Sequence, residues 1–290
     1  MIARRDLVLG ALALPVAVRG APPALRRAAP IVTRLRIAGN RIYLPVTVNG
    51  VAVEALLDSA AEATVIDVGF AARLALSAGT PVVARGSGAG TARAALVPDV
   101  VIGVAGLTLR PAGVAVLDLG DIARRLTRGP LDVVLGRELF DAARLAIDLD
   151  LGTLTVLPRT LTPPGRRLPL IARHGIESVP VTIEGHAALA DFDLGNGGRM
   201  LIGADFAARH RLLDGRPTTS IGVGGIGGEA QRTALTLTTL DIAGRRLRSV
   251  AATIDANDHA ADANIGVAVL RPFGIVTDFR DRAIWLDPRR

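Results

Sequence analysis

The feature of this sequence that most constrains its fold is an internal duplication with a spacing of about 135 residues. When Asn49-Gly50 is aligned with Glu184-Gly185, Asp58 falls on Asp193, eight residues after the glycine in both copies. Further landmarks follow in the same order: Val65-Ile66, Phe70-Ala-Ala-Arg73 and Asp132-Val-Val-Leu-Gly136 correspond to Leu201-Ile202, Phe206-Ala-Ala-Arg209 and Asp262-Ala-Asn-Ile-Gly266. Shared landmarks over this length predict a duplicated domain rather than a solenoid.

Each copy places its aspartate at the end of an apolar, β-prone run. Val51–Leu57 leads into Asp58-Ser59-Ala60, and Ala187–Phe192 leads into Asp193-Leu194-Gly195. Small residues after a strand allow a tight turn and the close approach of another backbone. Asp191 lies two residues before Asp193 and therefore on the same strand face, so it is the alternative second carboxylate.

Each copy resembles one lobe of the retropepsin-like and pepsin-like aspartic proteases. In that family an Asp-Thr/Ser-Gly loop follows an apolar strand, and a hydrophobic-hydrophobic-Gly element lies beside it. Asp58-Ser59-Ala60 and Asp193-Leu194-Gly195 match the loops, while Leu135-Gly136 and Ile265-Gly266 match the second element. The resemblance covers roughly residues 30 to 288. Over this range the chain is similar to bacterial aspartyl protease family proteins with two retropepsin-like lobes.

The resemblance implies a mainly β fold of two acid-protease-like β-barrel lobes with short helices, related by a pseudo-twofold axis. We expect the first lobe over residues 30–158, a Pro- and Arg-rich linker over 159–168, and the second lobe over 169–288. Strands are predicted at 33–37, 41–48, 51–57, 91–101, 107–117, 178–184, 187–192, 230–242 and 245–254. Short helices are predicted at 68–76, 121–128, 137–143 and 204–210.

The implied chemistry is peptide-bond hydrolysis by a catalytic pair, Asp58 and Asp193. Two carboxylates held close together cannot easily both ionise, so one serves as general base toward water and the other as general acid. This mechanism needs neither a metal nor another cofactor. The partner would be an extended peptide or protein, and we expect a monomer.

The resemblance also assigns roles to the surrounding loops. Ser59, Ala60, Leu194 and Gly195 would shape the two active-site loops. Glycine-rich segments would form flaps over the substrate, at Gly86-Ser87-Gly88 in the first lobe and Gly224-Gly225 in the second.

Both loops depart from the family motif. Leu194 stands where the family has a Thr or Ser whose hydroxyl joins the two loops, and Ala60 stands where it has glycine. A methyl group at Ala60 is expected to crowd the backbone and to disfavour a positive φ. These departures leave a second interpretation open, a non-catalytic relative in the cell envelope that binds peptides or glycans.

The N-terminus predicts export from a bacterial cell. Residues 1–24 have a basic start, Arg4-Arg5, followed by about a dozen apolar residues, a pattern typical of a signal peptide. The arginine pair indicates the twin-arginine route, with Sec export and a retained N-terminal anchor as alternatives. The predicted location is periplasmic or extracellular.

The charge pattern argues against a nucleic-acid partner. The chain has a formal net charge of +7, but its cations are scattered arginine pairs and its aromatic content is 3%. Nucleic-acid binding usually requires clustered cations with stacking partners. Peripheral contact with an anionic envelope surface remains compatible with this charge.

Four further motifs lack the context that their usual functions require. Gly222-Val-Gly-Gly-Ile-Gly227 matches the dinucleotide-binding pattern, but a strand-like stretch rather than a helix follows it, so an oxidoreductase is a remote alternative. Asp255, Asp258, His259 and Asp262 have no familiar metal-ligand spacing, and neither do His174, His186 and His210. Ser87 lacks the strand-to-helix context of a nucleophile elbow.

Overall fold

The computed structural model describes residues 31–289 except 87, 89, 128, 174 and 258–260. The predicted signal peptide and Ser87 therefore lie outside the described residues. None of the helices formed by the described part of the chain reaches the length and apolarity of a membrane-spanning helix.

The chain is mainly β, as predicted. The elements of its first half are β1 (Val32–Arg34), β2 (Arg36–Ala38), β3 (Arg41–Val48), β4 (Val51–Leu57), β5 (Val65–Asp67), α1 (Val68–Arg73), β6 (Thr80–Arg85), β7 (Thr91–Val97), β8 (Ile102–Val104), β9 (Leu107–Leu109), β10 (Val114–Leu117), α2 (Gly120–Ile122), a π-helical turn (Ala123–Thr127), β11 (Val133–Leu135), α3 (Glu138–Ala142), β12 (Arg144–Asp148) and β13 (Thr153–Leu157).

The second half repeats this order with fewer strands. Its elements are β14 (Arg166–Pro169), β15 (Ile171–Arg173), β16 (Ile176–Ile183), β17 (His186–Phe192), β18 (Met200–Gly203), α4 (Ala204–Arg209), β19 (Thr219–Gly225), β20 (Gly228–Ile242), β21 (Arg245–Asp255), β22 (Ala263–Ile265), α5 (Val267–Leu270), β23 (Phe273–Asp278) and β24 (Ala283–Pro288).

The strands form three sheets. A ten-stranded sheet has the order β6-β7-β10-β5-β11-β4-β3-β8-β9 with β2 beside β3, and we call it, with its helices, the first lobe. An eight-stranded sheet, β15-β16-β17-β22-β18-β21-β20-β19, forms the second lobe. The third sheet, β1-β13-β12-β23-β24-β14, takes strands from both halves of the chain.

The shared sheet joins the two lobes through a central pair of equivalent strands. β12 of the first half pairs antiparallel with β23 of the second, with Ala146 opposite Val276. Alternate side chains of these strands, such as Leu145 and Ile275, enter one core that contains apolar residues of both lobes. The two lobes are thus fixed relative to each other by backbone hydrogen bonds and by a common core.

Several predicted boundaries are wrong for local reasons. The strand expected over 107–117 is interrupted between Leu109 and Val114, where Pro111 lacks the N–H that a ladder needs. The strand expected over 91–101 ends at Val97, just before Pro98. The residues expected to be linker include the start of β14, which pairs with β24 in the shared sheet.

Candidate active site

Asp58 and Asp193 occupy equivalent places at the ends of β4 and β17. The Asp58 N–H donates to the carbonyl of Leu135 over 3.0 Å, and the Asp193 N–H donates to that of Ile265 over 3.1 Å. β11 runs parallel to β4, and β22 runs parallel to β17. Each aspartate therefore leaves its strand beside the end of a buried neighbouring strand, which fixes the start of the loop.

Each loop then folds back onto its own aspartate. Asp58 Oδ1 accepts hydrogen bonds from the N–H groups of Ala60 and Ala61, over 2.9 and 3.1 Å. Asp193 Oδ1 accepts from those of Gly195 and Asn196, over 2.9 and 3.0 Å. One oxygen of each carboxyl group is thereby held by the backbone of its own loop.

The glycines of the second family element allow this close packing. A Cβ at Gly136 would lie 2.9 Å from the carbonyl oxygen of Ala61, and one at Gly266 would lie 2.1 Å from that of Asn196. The same carbonyls accept hydrogen bonds from the N–H groups of Arg137 and Val267, each over 3.0 Å. A side chain at either position would clash with the backbone of the neighbouring aspartate loop, which explains why both positions carry glycine.

The two carboxyl groups lie close enough together that each affects the ionisation of the other. Burial and then the negative charge of Asp193 raise the pKa of Asp58 to about 7. Burial also raises the pKa of Asp193, but hydrogen bonds from Asn264 and from the N–H groups of Asn196 and Gly195 lower it. Because the Asn264 donor stabilises a negative charge on Asp193, we infer that the pair holds its shared proton on Asp58.

Asn264 makes the two aspartates unequal, and sequence reasoning missed it. Its Nδ2 donates to Asp193 Oδ2 over 2.8 Å, and its Oδ1 accepts from Asn196 Nδ2 over 2.8 Å. The equivalent residue in the first lobe is Val134, which offers Asp58 no such donor. The available signal was an asparagine in an otherwise apolar three-residue strand.

Ser59 joins the two loops across the lobe boundary. Its Oγ donates to the carbonyl of Phe192 over 2.8 Å and accepts from the Leu194 N–H over 2.9 Å. Ser59 is buried, and Leu194 is fully buried in the common core. The Ser59 hydroxyl thus links the first loop to the second. Leu194, which stands where the family motif has a second hydroxyl, contributes apolar packing instead.

The expected strain at Ala60 does not occur. Ala60 is not one of the described non-glycine residues that have a positive φ. The close approach falls on the other loop, where a Cβ at Gly195 would lie 2.3 Å from Asp58 Cγ. The second loop keeps glycine where the first tolerates a methyl group.

The glycine-rich segments are the tips of two hairpins. Gly86, Gly88 and Gly90 lie beyond β6, while Gly224 and Gly225 end β19. The Gly88 N–H donates to the Ile226 carbonyl and the Gly90 N–H donates to the Gly227 carbonyl, each over 2.9 Å. The predicted flap at Gly224-Gly225 is therefore part of a strand hairpin whose tip contacts the first lobe.

Asp191, the alternative second carboxylate, does not take the place of Asp193. It faces Ser178 across the sheet and accepts a hydrogen bond from its Oγ over 2.6 Å. The carboxyl that interacts with Asp58 is that of Asp193.

The remaining motifs do not form sites among the described residues. Asp255 pairs with Arg232 over 2.9 Å, and no group of three His, Asp or Glu side chains in this part of the chain is arranged to hold a metal. Asp258, His259 and His174 lie outside the described residues. His186 stacks on His210 with ring centroids 4.1 Å apart. Gly222–Gly227 precedes β20 rather than a helix.

The paired strand-end aspartates of the two related lobes resemble the site of an aspartic protease. Residues 44–139 match a family model described as aspartyl protease, a stretch that contains Asp58 and Gly136. This match confirms the resemblance to the aspartic protease family over those residues of the first lobe. No curated protein matches the chain.

Proposed function

We propose that the protein is an aspartic endopeptidase that hydrolyses peptide bonds in extended peptides with Asp58 and Asp193 as its catalytic pair. The observation that carries this proposal is the meeting of two carboxyl groups of unequal surroundings at the ends of equivalent strands. A binding protein has no need of two adjacent carboxyl groups, one of which has its pKa raised to about 7 by burial and by the charge of the other.

The unequal surroundings assign a role to each aspartate. Asp193, whose charge Asn264 stabilises, takes a proton from a water molecule as that water attacks the peptide carbonyl carbon. Asp58 donates its proton to the carbonyl oxygen, which gives a neutral tetrahedral intermediate. When the C–N bond breaks, the proton held by Asp193 passes to the leaving nitrogen and Asp58 recovers its proton from the intermediate. The products are a carboxylic acid and an amine.

The setting we propose is outside the cytoplasm of a bacterium, on the basis of the leader-like residues 1–24. The substrate would be a peptide or an unfolded protein, and the working unit one chain with lobes at 30–158 and 169–288 joined by 159–168. The shared sheet supports the single-chain unit, because it combines strands of both halves.

The experiment is digestion of an unfolded protein by the chain without residues 1–24, from pH 3 to pH 7. Asp58→Asn and Asp193→Asn are assayed beside it, with circular dichroism to establish that each variant is folded. We expect cleavage that a pepstatin-like transition-state mimic inhibits and that both variants lose. No cleavage at any pH from folded wild-type protein would overturn the proposal and favour the peptide- or glycan-binding alternative.

A further inference from the structure

A cavity of about 570 Å³ lies between the second aspartate loop, β21 and α5. Its lining includes Gly197, Gly198 and Arg199, which continue the loop that begins at Asp193, and Asn40 of the first lobe. Neither aspartate of the pair is among the lining residues. Ligand sites in proteins have volumes of about 300–1,000 Å³, so this cavity has room for a small organic molecule.

The wall of the cavity is apolar. Met200 and Val269 are buried in the common core, and Leu247 and Val250 are partly buried against it. Leu247 and Val250 are three residues apart on β21, a spacing that normally places side chains on opposite faces of a strand. The φ of 54° at Ser249 turns the strand between them, so both side chains pack on the core. This wall suits the apolar part of a ligand.

The arginines of the cavity have no acid to balance them. Arg199 and Arg248 line the cavity and are exposed. Neither side chain has a hydrogen bond or an ion pair within the part of the chain that the structure describes, and none of the described lining residues is acidic. The guanidinium group matches the geometry of a carboxylate. These two residues therefore give the cavity the charge that an anionic ligand requires.

The first lobe holds a carboxylate at the equivalent place. The N–H and hydroxyl groups of Thr64 donate to the two oxygens of Glu138 over 2.8 and 2.9 Å. Glu138 lies two residues after Gly136, at the start of α3, and therefore joins this helix to the residue before β5. In the second lobe the residue two positions after Gly266 is Ala268, which lines the cavity. The second lobe thus lacks the carboxylate at the place where the cavity lies.

A second exchange reverses the charge at this place. Leu201 corresponds to Val65, because they pair with equivalent residues of β22 and β11. Arg199 therefore corresponds to Ala63, two residues earlier in each lobe. The first lobe has an alanine and its own glutamate, while the second has an arginine and an alanine beside an open cavity. The exchange indicates that the carboxylate of a ligand takes the place of the Glu138 side chain.

We propose that the cavity binds an organic carboxylate with an apolar tail. Arg199 and Arg248 would hold the carboxylate, and the tail would lie against the apolar wall. A fatty acid and the C-terminal residue of a peptide both have this chemistry. Binding here requires no hydrolysis by the aspartate pair, so failure of the proposed endopeptidase function would leave this site standing, and failure of the site would leave that function standing.

The test is calorimetry of the protein with octanoate and with N-acetyl-leucine. Each is compared with a neutral analogue of similar size, octanol or N-acetyl-leucinamide. We expect a Kd below about 1 mM for at least one carboxylate and at least about tenfold weaker binding of its neutral analogue. Tighter binding of octanoate identifies a fatty acid, and tighter binding of N-acetyl-leucine identifies a peptide end. No binding of either carboxylate, or equal binding of its neutral analogue, would overturn the site.

Four variants locate the bound carboxylate. Arg199→Gln and Arg248→Gln should each weaken its binding at least about tenfold, whereas Arg209→Gln, at an exposed arginine outside the cavity lining, should keep the wild-type affinity. Ala268→Glu copies Glu138 and should abolish binding, because it supplies the carboxylate from within the chain. All four positions are exposed, and circular dichroism establishes that each variant is folded. Wild-type affinity in both cavity arginine variants, or in Ala268→Glu, would overturn the site.

Discussion

The two aspartate loops have almost the same backbone and very different side chains. In both, the aspartate N–H bonds the neighbouring strand and one carboxyl oxygen accepts two loop N–H groups. The first loop then supplies a hydroxyl and a methyl group, and the second a buried leucine, a glycine and the contact with Asn264. The comparison teaches that the backbone brings the carboxyl groups together, while the side chains decide which of them keeps the proton.

The largest expected effect comes from exchanging the residues at the third loop position. Gly195→Ala would place a Cβ 2.3 Å from Asp58 Cγ and should lower kcat/KM by at least about 100-fold, the usual consequence of misplacing a catalytic group by about an ångström. Ala60→Gly should lower it far less, because only a backbone entropy of about 0.5–1 kcal/mol is at stake. Equal activities of the two variants would contradict the assigned asymmetry.

The next largest effect is expected from removing the Ser59 hydroxyl, which joins the two loops. Ser59→Ala removes the acceptor of the buried Leu194 N–H, and the free energy of unfolding in urea should fall by about 1–3 kcal/mol. Ser59→Thr keeps the hydroxyl and is the control. Wild-type stability of Ser59→Ala would mean that the loops are joined by packing alone.

A smaller effect is expected from making the second lobe resemble the first at Asn264. Asn264→Val removes a donor that lowers the pKa of Asp193, so this pKa should rise and the acidic limb of the kcat/KM profile should move to higher pH, by about one unit. Activity at the acidic end should fall while activity near pH 6 changes little. The reciprocal variant, Val134→Asn, should instead move the alkaline limb downward by stabilising ionised Asp58. An unchanged profile in both variants would contradict the roles given to the pair.

A further effect is expected on stability as a function of pH. The folded-state pKa of Asp58 is about 7, above the ordinary value of 3.8, so its contribution to stability is complete below about pH 3.8 and is lost as the pH rises through about 7. Between these values wild-type unfolding free energy should decrease relative to Asp58→Asn, by at most about 1.4 kcal/mol per pH unit. Parallel curves for the two proteins would show that Asp58 has an ordinary pKa.

The loss of stability that causes ordinary acid unfolding occurs in a different, lower pH range. Hydrogen bonds lower the pKa of Asp148 and Asp278 in spite of their burial. Their contribution is present above about pH 3.8 and is lost at lower pH. The comparison of wild type with Asp58→Asn removes this shared contribution.

The sequence predicted the pair of strand-end aspartates because each lies at a fixed distance from a turn and the same landmarks follow in both copies. The exchange of hydrogen bonds through Ser59 was not predictable, since it depends on backbone groups of residues 133 positions away. The contact of Asn264 with Asp193 was missed for a related reason. The two residues are 71 positions apart, and only the parallel pairing of β17 with β22 brings them together.

The most direct test of the shared proton is an infrared difference spectrum of the folded protein at pH 5.5, between wild type and Asp58→Asn. We expect the wild type to have one protonated carboxyl band that Asp58→Asn lacks and that Asp205→Asn, the variant of an exposed aspartate, retains. Wild-type and Asp58→Asn spectra with the same protonated carboxyl content would contradict the assignment of the proton to Asp58, and with it the acid and base roles on which the proposed hydrolysis depends.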